Sequence, residues 1–546
     1  MKEHKTYSFI SKDEIDDIIT FTKLTGKNAI LIGNSNTNPV IKQLERETGM
    51  KLSADHRVKK EGYRIKSIFY KGQNYIILSG NDRVGSLYAV YAWLEKLGVR
   101  WFSPGEKGTY YPNDLNDIYE FDEISNPKFY TRGCYSEFID DSNIEFLDWM
   151  SHNKMNYAHF RKILNPHNLK KRGIQIADGG HNILYDYFDP DAEYPYKHKI
   201  FDENKKCGDI SLKPEDPYPV SEEYAGDVNG DGVLSYAEAH PEWFALIDGK
   251  RRWWRQSLDE VVYHHGDNYC TTNSYATEEL CKNIIESLIS GKLQYADYIN
   301  LWLLDNGKWC SCKNCEEAGN YAYKLLMIVY NLRKKIVDAM KEQRLKRNVK
   351  VAFPAYHETL PAPNKPLPED FDYENCYVIY FPIERCYVHN FNDESCTETN
   401  INLLKKYNQW TIGEERNYKG DVFIGEYYNV SSFASMPIIL SSIIANDIPF
   451  YYNSGTRHFY YMHITSGKWG ILTLNNYQYA KMLWDPFLDV NNLRDEYFNC
   501  YYKGLSEQMK LFYNKLENAT SNMKFIKHYQ EYEDVRHSLF RKLREL

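Results

Sequence analysis

The sequence predicts an α/β protein built around a (β/α)8 TIM barrel, with a small α/β domain before the barrel and a helical segment after it. From about residue 129 onward, strand and helix signals alternate, giving about eight βα units over about 350 residues, as such a barrel requires. No glycine-rich phosphate-binding loop follows any predicted strand, so a doubly wound sheet is the weaker alternative. The alternation and the missing loop together favour the barrel.

The first 125 residues predict the small α/β domain. Short apolar or alternating runs bounded by turn residues indicate three strands, at residues 28–33, 63–70 and 74–79. Residues 83–97 place apolar side chains at helical spacing, and Gly98 follows as the C-cap of this helix.

The predicted barrel covers residues 126–490. Its strand candidates are residues 129–135, 157–161, 173–177, 298–305, 349–353, 376–381, 422–426 and 449–452. Helical spacing is clearest over residues 143–155 and 316–344. A long insertion at about 185–250 follows the third strand, and the charged residues 491–546 predict a helical C-terminal segment.

Charge and hydropathy exclude two classes of partner. The chain has 67 Lys and Arg residues against 75 Asp and Glu residues, a net charge of -8, so it lacks the basic surface that nucleic acid requires. No apolar run approaches the roughly 18 residues of a membrane span, so we expect no transmembrane segment. The oligomeric state stays open.

The N-terminus leaves two alternatives for localisation. Residues 1–6 lack the apolar core of a signal peptide, so the protein is expected to be cytoplasmic unless a leader has been removed. If a leader has been removed, the protein is expected to be secreted, periplasmic or at the cell surface. The odd number of cysteines, 11, favours a reducing compartment.

Carboxylates at the predicted strand ends form the candidate catalytic group. Functional residues of a barrel lie at the carboxyl ends of its strands, and Asp305, Glu384 and Glu426 end the fourth, sixth and seventh predicted strands. Cleavage of a glycosidic bond needs a carboxylic acid and a second carboxylate, so this set predicts glycoside hydrolysis. The alternative is that these carboxylates pair with Arg132 and Arg385 across the barrel mouth.

The same strand ends carry residues suited to binding a sugar. Aromatic residues make up 15% of the chain, and their rings can stack on the apolar face of a sugar. The candidate substrate-binding residues are Arg132, His181, Asn306, Tyr356, His357, Tyr427, Tyr428 and Trp469. Asp178 and Glu358 also fall at strand ends, without an assigned role. An aromatic-rich core is the alternative explanation for most of these rings.

One loop matches the calcium-binding pattern of an EF-hand at every diagnostic position. The predicted ligands are Asp227, Asn229, Asp231, Val233 through its carbonyl, Ser235 and Glu238. Prolines flank the loop on both sides, so we expect one structural Ca²⁺ site within the insertion rather than a paired sensor domain.

A second metal site is indicated by three cysteines close in sequence. Cys310, Cys312 and Cys315 could hold zinc if a fourth ligand, such as Cys270 or Cys207, folds close to them. Free thiols or one disulfide are the alternatives. Because the motif follows Asp305, we expect it to fix the loop that presents this carboxylate.

Several segments resemble known carbohydrate-active families. Residues 80–105 resemble the N-terminal α/β domain of glycoside hydrolase families 20 and 67, and NPKFYTRG (126–133) resembles their first barrel strand. The segments HPEWFALIDGKR (240–251), WCSCKNC (309–315) and AKMLWDP (480–486) resemble the bacterial family catalogued as domain of unknown function 4838, which contains glycoside hydrolase family 163.

The resemblance implies an endo-β-N-acetylglucosaminidase that cuts the chitobiose core of complex N-glycans. Glu426 and Glu384 are similar to carboxylates that family 67 places after the seventh and sixth strands, so we expect them to include the general acid. Asp305 would orient an N-acetyl group or act as the second carboxylate. The fourth strand ends in Asp305 and Asn306 instead of the Asp-Glu pair of family 20, which argues against a family 20 assignment there.

Three alternatives keep the same barrel. The chain could be an exo-acting β-hexosaminidase, an α-glucuronidase, or a carbohydrate-binding protein without catalysis. In every case the expected partner is a glycan or glycoprotein.

Overall fold

A computed structural model describes most of the chain in two compact units. The described residues are 28–114, 120–136, 139–160, 162–201, 213–251, 267–305, 307–413, 415–429, 436–464, 469–527 and 532–545. Within the described ranges, the first unit comprises residues up to 174, 386–393 and from 427 onward, and the second comprises 175–385 and 394–426.

The strands are β1 (Ala29–Ile32), β2 (Tyr63–Tyr70), β3 (Gln73–Gly80), β4 (Arg100–Trp101), β5 (Thr109–Tyr110), β6 (Asp122–Ser125), β7 (Thr131–Ser136), β8 (Tyr157–Phe160), β9 (Gln175–Gly180), β10 (Leu246–Ile247), β11 (Lys250–Arg251), β12 (Tyr298–Leu301), β13 (Lys350–Ala355), β14 (Cys376–Tyr380), β15 (Val422–Glu426) and β16 (His458–Tyr461). Eight of them form a closed parallel barrel in the order β12-β13-β14-β15-β16-β7-β8-β9, which confirms the predicted fold class.

The helices are α1 (Pro39–Thr48), α2 (Arg83–Lys96), α3 (Ile144–His152), α4 (Pro166–Lys170), α5 (Ile183–Phe188), α6 (Tyr236–Ala239), α7 (Ser274–Ser290), α8 (Lys313–Ala318), α9 (Tyr321–Lys341), α10 (Asn400–Thr411), α11 (Ser441–Asn453), α12 (Thr473–Trp484), α13 (Val490–Tyr501), α14 (Ser506–Ser521) and α15 (Tyr532–Glu545). Among these described helices, none combines the length and apolar character needed to cross a membrane.

The small sheet of the first unit has the order β1-β3-β2-β6. β1 runs parallel to β3, whereas β2 runs antiparallel to both β3 and β6. Asn38 caps α1 by accepting hydrogen bonds from the N–H groups of Val40 and Ile41, and Asp82 caps α2 in the same way through Gly85. These elements agree with the strands and the helix predicted for this region.

The eighth barrel strand differs from the prediction. Residues 449–452 form the last turns of α11, and the strand follows at β16, whose His458 is paired with Thr131 of β7. A short aromatic run suits a buried helix as well as a strand, so periodicity alone does not separate the two. The predicted helix 316–344 is likewise two helices, since Gly319 adopts φ +142° and Asn320 caps α9.

Aromatic rings fill the second unit's part of the barrel interior. The ring of Tyr298 on β12 lies 6.1 Å from Tyr377 on β14 and 6.3 Å from Phe423 on β15. Toward the carboxyl ends of the strands, the Phe381 ring covers the position of Gly425. A Cβ on this glycine would lie 2.1 Å from the Phe381 ring, so the glycine leaves the space that the ring occupies.

We therefore expect Gly425→Ala to destabilise the protein by about 1–3 kcal/mol, because overpacking displaces the Phe381 ring. Urea unfolding would measure the change. Gly504→Ala is the matched control, since no atom lies within 4 Å of its added Cβ. Equal stability of the two variants would contradict this description of the packing.

Candidate active site

Four rings form an aromatic wall at the carboxyl ends of strands in the second unit: His181, Trp302, Tyr356 and Phe381. The Trp302 and Phe381 ring centroids lie 5.5 Å apart, edge to face, and Tyr356 lies 6.0 Å from Phe381 in the same manner. His181 lies 5.1 Å from Trp302 and 6.1 Å from Tyr356. The residues follow β9, β12, β13 and β14, so four strands contribute to one surface. Trp302 and Phe381 are buried and form the base of this wall, whereas His181 and Tyr356 are half-buried. His181 and Tyr356 are therefore the rings available to the apolar face of a sugar.

The tautomer of His181 follows from one hydrogen bond. Its Nδ1 lies 2.6 Å from the carbonyl oxygen of Leu303, and a carbonyl only accepts, so Nδ1 carries the proton. In the neutral ring, Nε2 is then a hydrogen-bond acceptor. The predicted substrate-binding residues His181 and Tyr356 are therefore brought together by the fold, with the histidine in a fixed tautomer.

Asp305 lies in a turn that Asn268 holds from the side. The buried Asn268 accepts a hydrogen bond from Leu304 N (3.1 Å) and donates one to the carbonyl of Gly307 (3.0 Å). One carboxylate oxygen of Asp305, Oδ1, is buried and has no hydrogen-bond partner among the described residues. A desolvated carboxylate oxygen in this state is costly unless a water molecule or a ligand supplies the missing donor. The predicted partner Asn306 lies outside the described residues.

A pocket of about 390 Å³ opens beside the aromatic wall. It is lined by His357, Glu358, Leu360, Phe381, Ile383, Glu384, Leu403 and Lys406. Phe381 belongs to both features, and the His357 ring lies 3.9 Å from that of Tyr356, so the pocket and the wall are continuous. Glu358, which the sequence placed at a strand end without a role, shares the pocket with Glu384; both side chains are exposed.

His357 has strained backbone geometry at this pocket. Its φ of +45° lies in the left-handed region, which is unfavourable for a residue with a Cβ. Strain of this kind persists only where the surroundings enforce it, and it is concentrated at functional sites.

Glu426, predicted as a catalytic carboxylate, is a structural group. Its Oε1 accepts a hydrogen bond from Arg385 at 2.5 Å, and both side chains are fully buried. A carboxylate with no exposed surface offers no contact to a glycan. The alternative of an ion pair with Arg385 therefore describes this residue.

Arg132 also differs from its predicted role. It lies near the amino end of β7, where its guanidinium donates to Glu61 (2.6 Å) and to the carbonyls of Phe129 (2.7 Å) and Lys154 (2.6 Å). The side chain is fully buried. Arg132 thus joins the barrel strand to Glu61, two residues before β2 of the small sheet, and it lies at the opposite end of β7 from the carboxyl end.

Two predicted aromatic residues belong to the core of the first unit. Trp469 packs against Trp149 with ring centroids 4.6 Å apart, and Tyr428 packs against Phe459 and Tyr461. Both are buried, which corrects their assignment to sugar binding.

Tyr427 is also buried, but its surroundings are more polar. Its N–H donates to the hydroxyl of Tyr387 (3.1 Å), and its ring lies 6.0 Å from His463. The first unit also places His159 Nδ1 2.5 Å from the hydroxyl of Tyr460, a pair that was not predicted. The alternation of Tyr157 and His159 along β8 was the signal available in the sequence.

In the EF-hand-like loop, the acidic and amide side chains accept hydrogen bonds from backbone N–H groups of the same loop. Asp227 accepts a hydrogen bond from Gly232 N (2.9 Å), and the buried Glu238 accepts one from Ser235 N (2.8 Å). Asn229 and Asp231 accept bonds from the N–H groups two residues further on, as in a compact turn. Calcium binding by this loop stays a prediction.

Comparison with known proteins gives a family and distant structural similarities. Residues 228–514, more than half of the chain, match the family model described as domain of unknown function (DUF4838). No curated protein matches the chain.

Two similar solved structures are glycoside hydrolases. One is a family 138 enzyme targeting pectin rhamnogalacturonan II (10% identity, TM-score 0.48, covering 90% of this chain and 55% of that enzyme). The other is a family 89 glycoside hydrolase from Clostridium perfringens in complex with PUGNAc (10% identity, TM-score 0.45, covering 88% and 50%). The chain spans about half the length of both enzymes.

The ion pair of Glu426 predicts a stability effect that separates it from Glu384. Glu426→Gln removes the negative charge that faces the buried Arg385 guanidinium, so we expect a loss of about 3–5 kcal/mol in the free energy of unfolding. Glu384→Gln changes an exposed side chain, and we expect less than about 0.5 kcal/mol. Urea unfolding of both variants would measure the difference. Equal stabilities would show that the ion pair is not structural.

Proposed function

The chain belongs to the family described as domain of unknown function 4838, and from this premise we propose that it is a glycoside hydrolase acting on glycans that contain N-acetylglucosamine. The observation that carries the proposal is the desolvated Oδ1 of Asp305 at the carboxyl end of β12. An acetamide N–H or a sugar hydroxyl is a donor of the kind this oxygen lacks.

The aromatic wall and the adjoining pocket support the proposal. A sugar ring stacked on the wall would place its polar edge toward carboxylates at neighbouring strand ends. Glu384 and Glu358 are candidates for the general acid because they line the adjoining pocket. A glycan bound in the pocket would remove water from these carboxylates and so favour the protonated form that an acid catalyst needs.

Asp305 has two possible roles in such a site. It can orient the N-acetyl group so that the carbonyl oxygen of the substrate attacks the anomeric carbon, or it can act as the second carboxylate. Both roles require a carboxylate oxygen directed at the substrate rather than consumed by a protein donor. Glu426 is the less suitable candidate, because its side chain is fully buried and its Oε1 is paired with Arg385.

The finer proposal is an endo-β-N-acetylglucosaminidase that cuts the chitobiose core of complex N-glycans, as the family resemblance implies. An exo-acting β-hexosaminidase, an α-glucuronidase and a carbohydrate-binding protein remain the alternatives. The products distinguish them, because an endo enzyme releases an intact oligosaccharide, an exo enzyme releases single sugars, and a binding protein releases none.

A digestion of biantennary N-glycoproteins and a panel of glycans, followed by mass spectrometry, tests the proposal. We expect the wild type to release intact oligosaccharides. Asp305→Asn and Glu384→Gln should each lower the rate by about 100-fold or more, because each removes a group that acts in the transition state. Asp338→Asn, an exposed carboxylate on α9, is the matched control and should keep the wild-type rate.

Three outcomes would contradict the proposal. Hydrolysis of no glycan, with binding detected by calorimetry, would indicate a carbohydrate-binding protein. Release of single sugars would overturn the endo mode but keep the hydrolase. Full activity of the Asp305 variant would show that the site is elsewhere.

A further inference from the structure

Four cysteines of the second unit converge on one point. Cys270 precedes α7; Cys310 and Cys312 precede α8, and Cys315 lies in its first turn. Their sulfur atoms all lie within 4.8 Å of one another. None of the four forms a disulfide. Of the two candidates for the fourth ligand, Cys270 is therefore the one that lies beside the three-cysteine motif. The other candidate, Cys207, lies outside the described residues.

The sulfur separations match those of a tetrahedral metal site. Four sulfurs placed about 2.3 Å from a central zinc ion would lie about 3.8 Å from one another. The Cys270 sulfur lies 3.7 Å from that of Cys312 and 3.8 Å from that of Cys315. Two of the six sulfur separations thus equal those of a tetrahedral site, and all six are within 4.8 Å.

The surroundings are those of a thiolate site rather than of four unrelated thiols. Three of the cysteines are buried, and the cluster packs against the apolar residues Ala245 and Ile247. The N–H of Leu246 donates to the Cys310 sulfur (3.3 Å), and the Thr272 hydroxyl lies 3.1 Å from the Cys315 sulfur. Such donors orient metal-bound thiolates and spread their negative charge.

We propose that Cys270, Cys310, Cys312 and Cys315 bind one zinc ion in a structural site. A set of four thiolates fills the coordination sphere of zinc and leaves no open position for a substrate, as in structural rather than catalytic sites. The same ligand set can hold iron, so the metal itself is part of the test.

The zinc site joins two segments that hold the Asp305 turn. Cys270 is two residues from Asn268, which bonds Leu304 and Gly307 on either side of Asp305. The N–H of Asn268 also donates to the carbonyl of Lys308 (2.9 Å), two residues before Cys310. A bound zinc ion would fix the distance between these segments. Through the hydrogen bonds of Asn268, it would also restrict the movement of the turn that carries Asp305. This consequence for catalysis rests on the proposed function; the metal site itself does not.

Metal analysis of the purified wild-type protein tests the site. We expect one zinc ion per chain, released by a mercurial reagent that modifies the cysteines and detected by a chromophoric chelator. Cys270→Ala and Cys315→Ala should lose the zinc. Cys281→Ala is the matched control, because Cys281 is a buried free cysteine on α7 outside the cluster, and this variant should keep it.

The wild-type measurements keep the test independent of whether the variants fold. Replacement of zinc by Co²⁺ should produce the absorption of a four-thiolate tetrahedral site. A protein without metal and with freely titratable thiols, a disulfide between two of these cysteines, or stoichiometric iron would each overturn the proposal.

A separate measurement tests the effect on Asp305. If the wild type hydrolyses a glycan, removal of zinc should lower the rate at least tenfold, and restored zinc should recover it. Full activity without zinc would overturn the positioning role but not the site. If the wild type is inactive on every glycan, the proposed function fails while the zinc content still decides the metal site.

Discussion

The buried ion pair of Arg385 and Glu426 determines which carboxylates of the second unit are left for chemistry. Moving a guanidinium out of water costs several kcal/mol, and only a close counter-charge offsets this cost. Glu426 at the end of β15 supplies that charge to Arg385, which lies in the loop after β14. The Glu426 Oε1 and Arg385 Nη1 atoms are 2.5 Å apart. The carboxylate is therefore part of the scaffold. The other carboxylates that the sequence analysis placed at strand ends of this unit are Asp178, Asp305, Glu358 and Glu384.

Three features of the second unit lie around the turn that carries Asp305 or hold that turn. The aromatic wall lies beside the strand ends, Asn268 bonds both sides of the turn, and the four cysteines join the segments that carry Asn268 and the turn. A catalytic group must be held within a fraction of an ångström of its productive position, so such support is expected around a reactive carboxylate. The strained backbone of His357, at the adjoining pocket, fits the same interpretation.

More of the fold than of the candidate site could be predicted from the sequence. Local periodicity predicts the strand and helix order of the barrel, since each element is encoded within a few residues. The aromatic run at 449–452 was ambiguous because burial, not periodicity, decides its conformation. The role of a charged residue or a cysteine depends on partners that are distant in the sequence. Glu61 is 71 positions from its partner Arg132, and Cys270 is 40 positions from Cys310. A single sequence shows the residues but not these partners.

The most direct test of the proposed site is a crystal structure of the protein in complex with the sugar that it releases from its substrate. We expect the sugar ring to stack on the aromatic wall and a sugar hydroxyl or acetamide N–H to donate to Asp305 Oδ1, while Arg385 and Glu426 stay paired. A sugar bound to Glu426 with Arg385 displaced, or bound away from Asp305, would contradict this expectation.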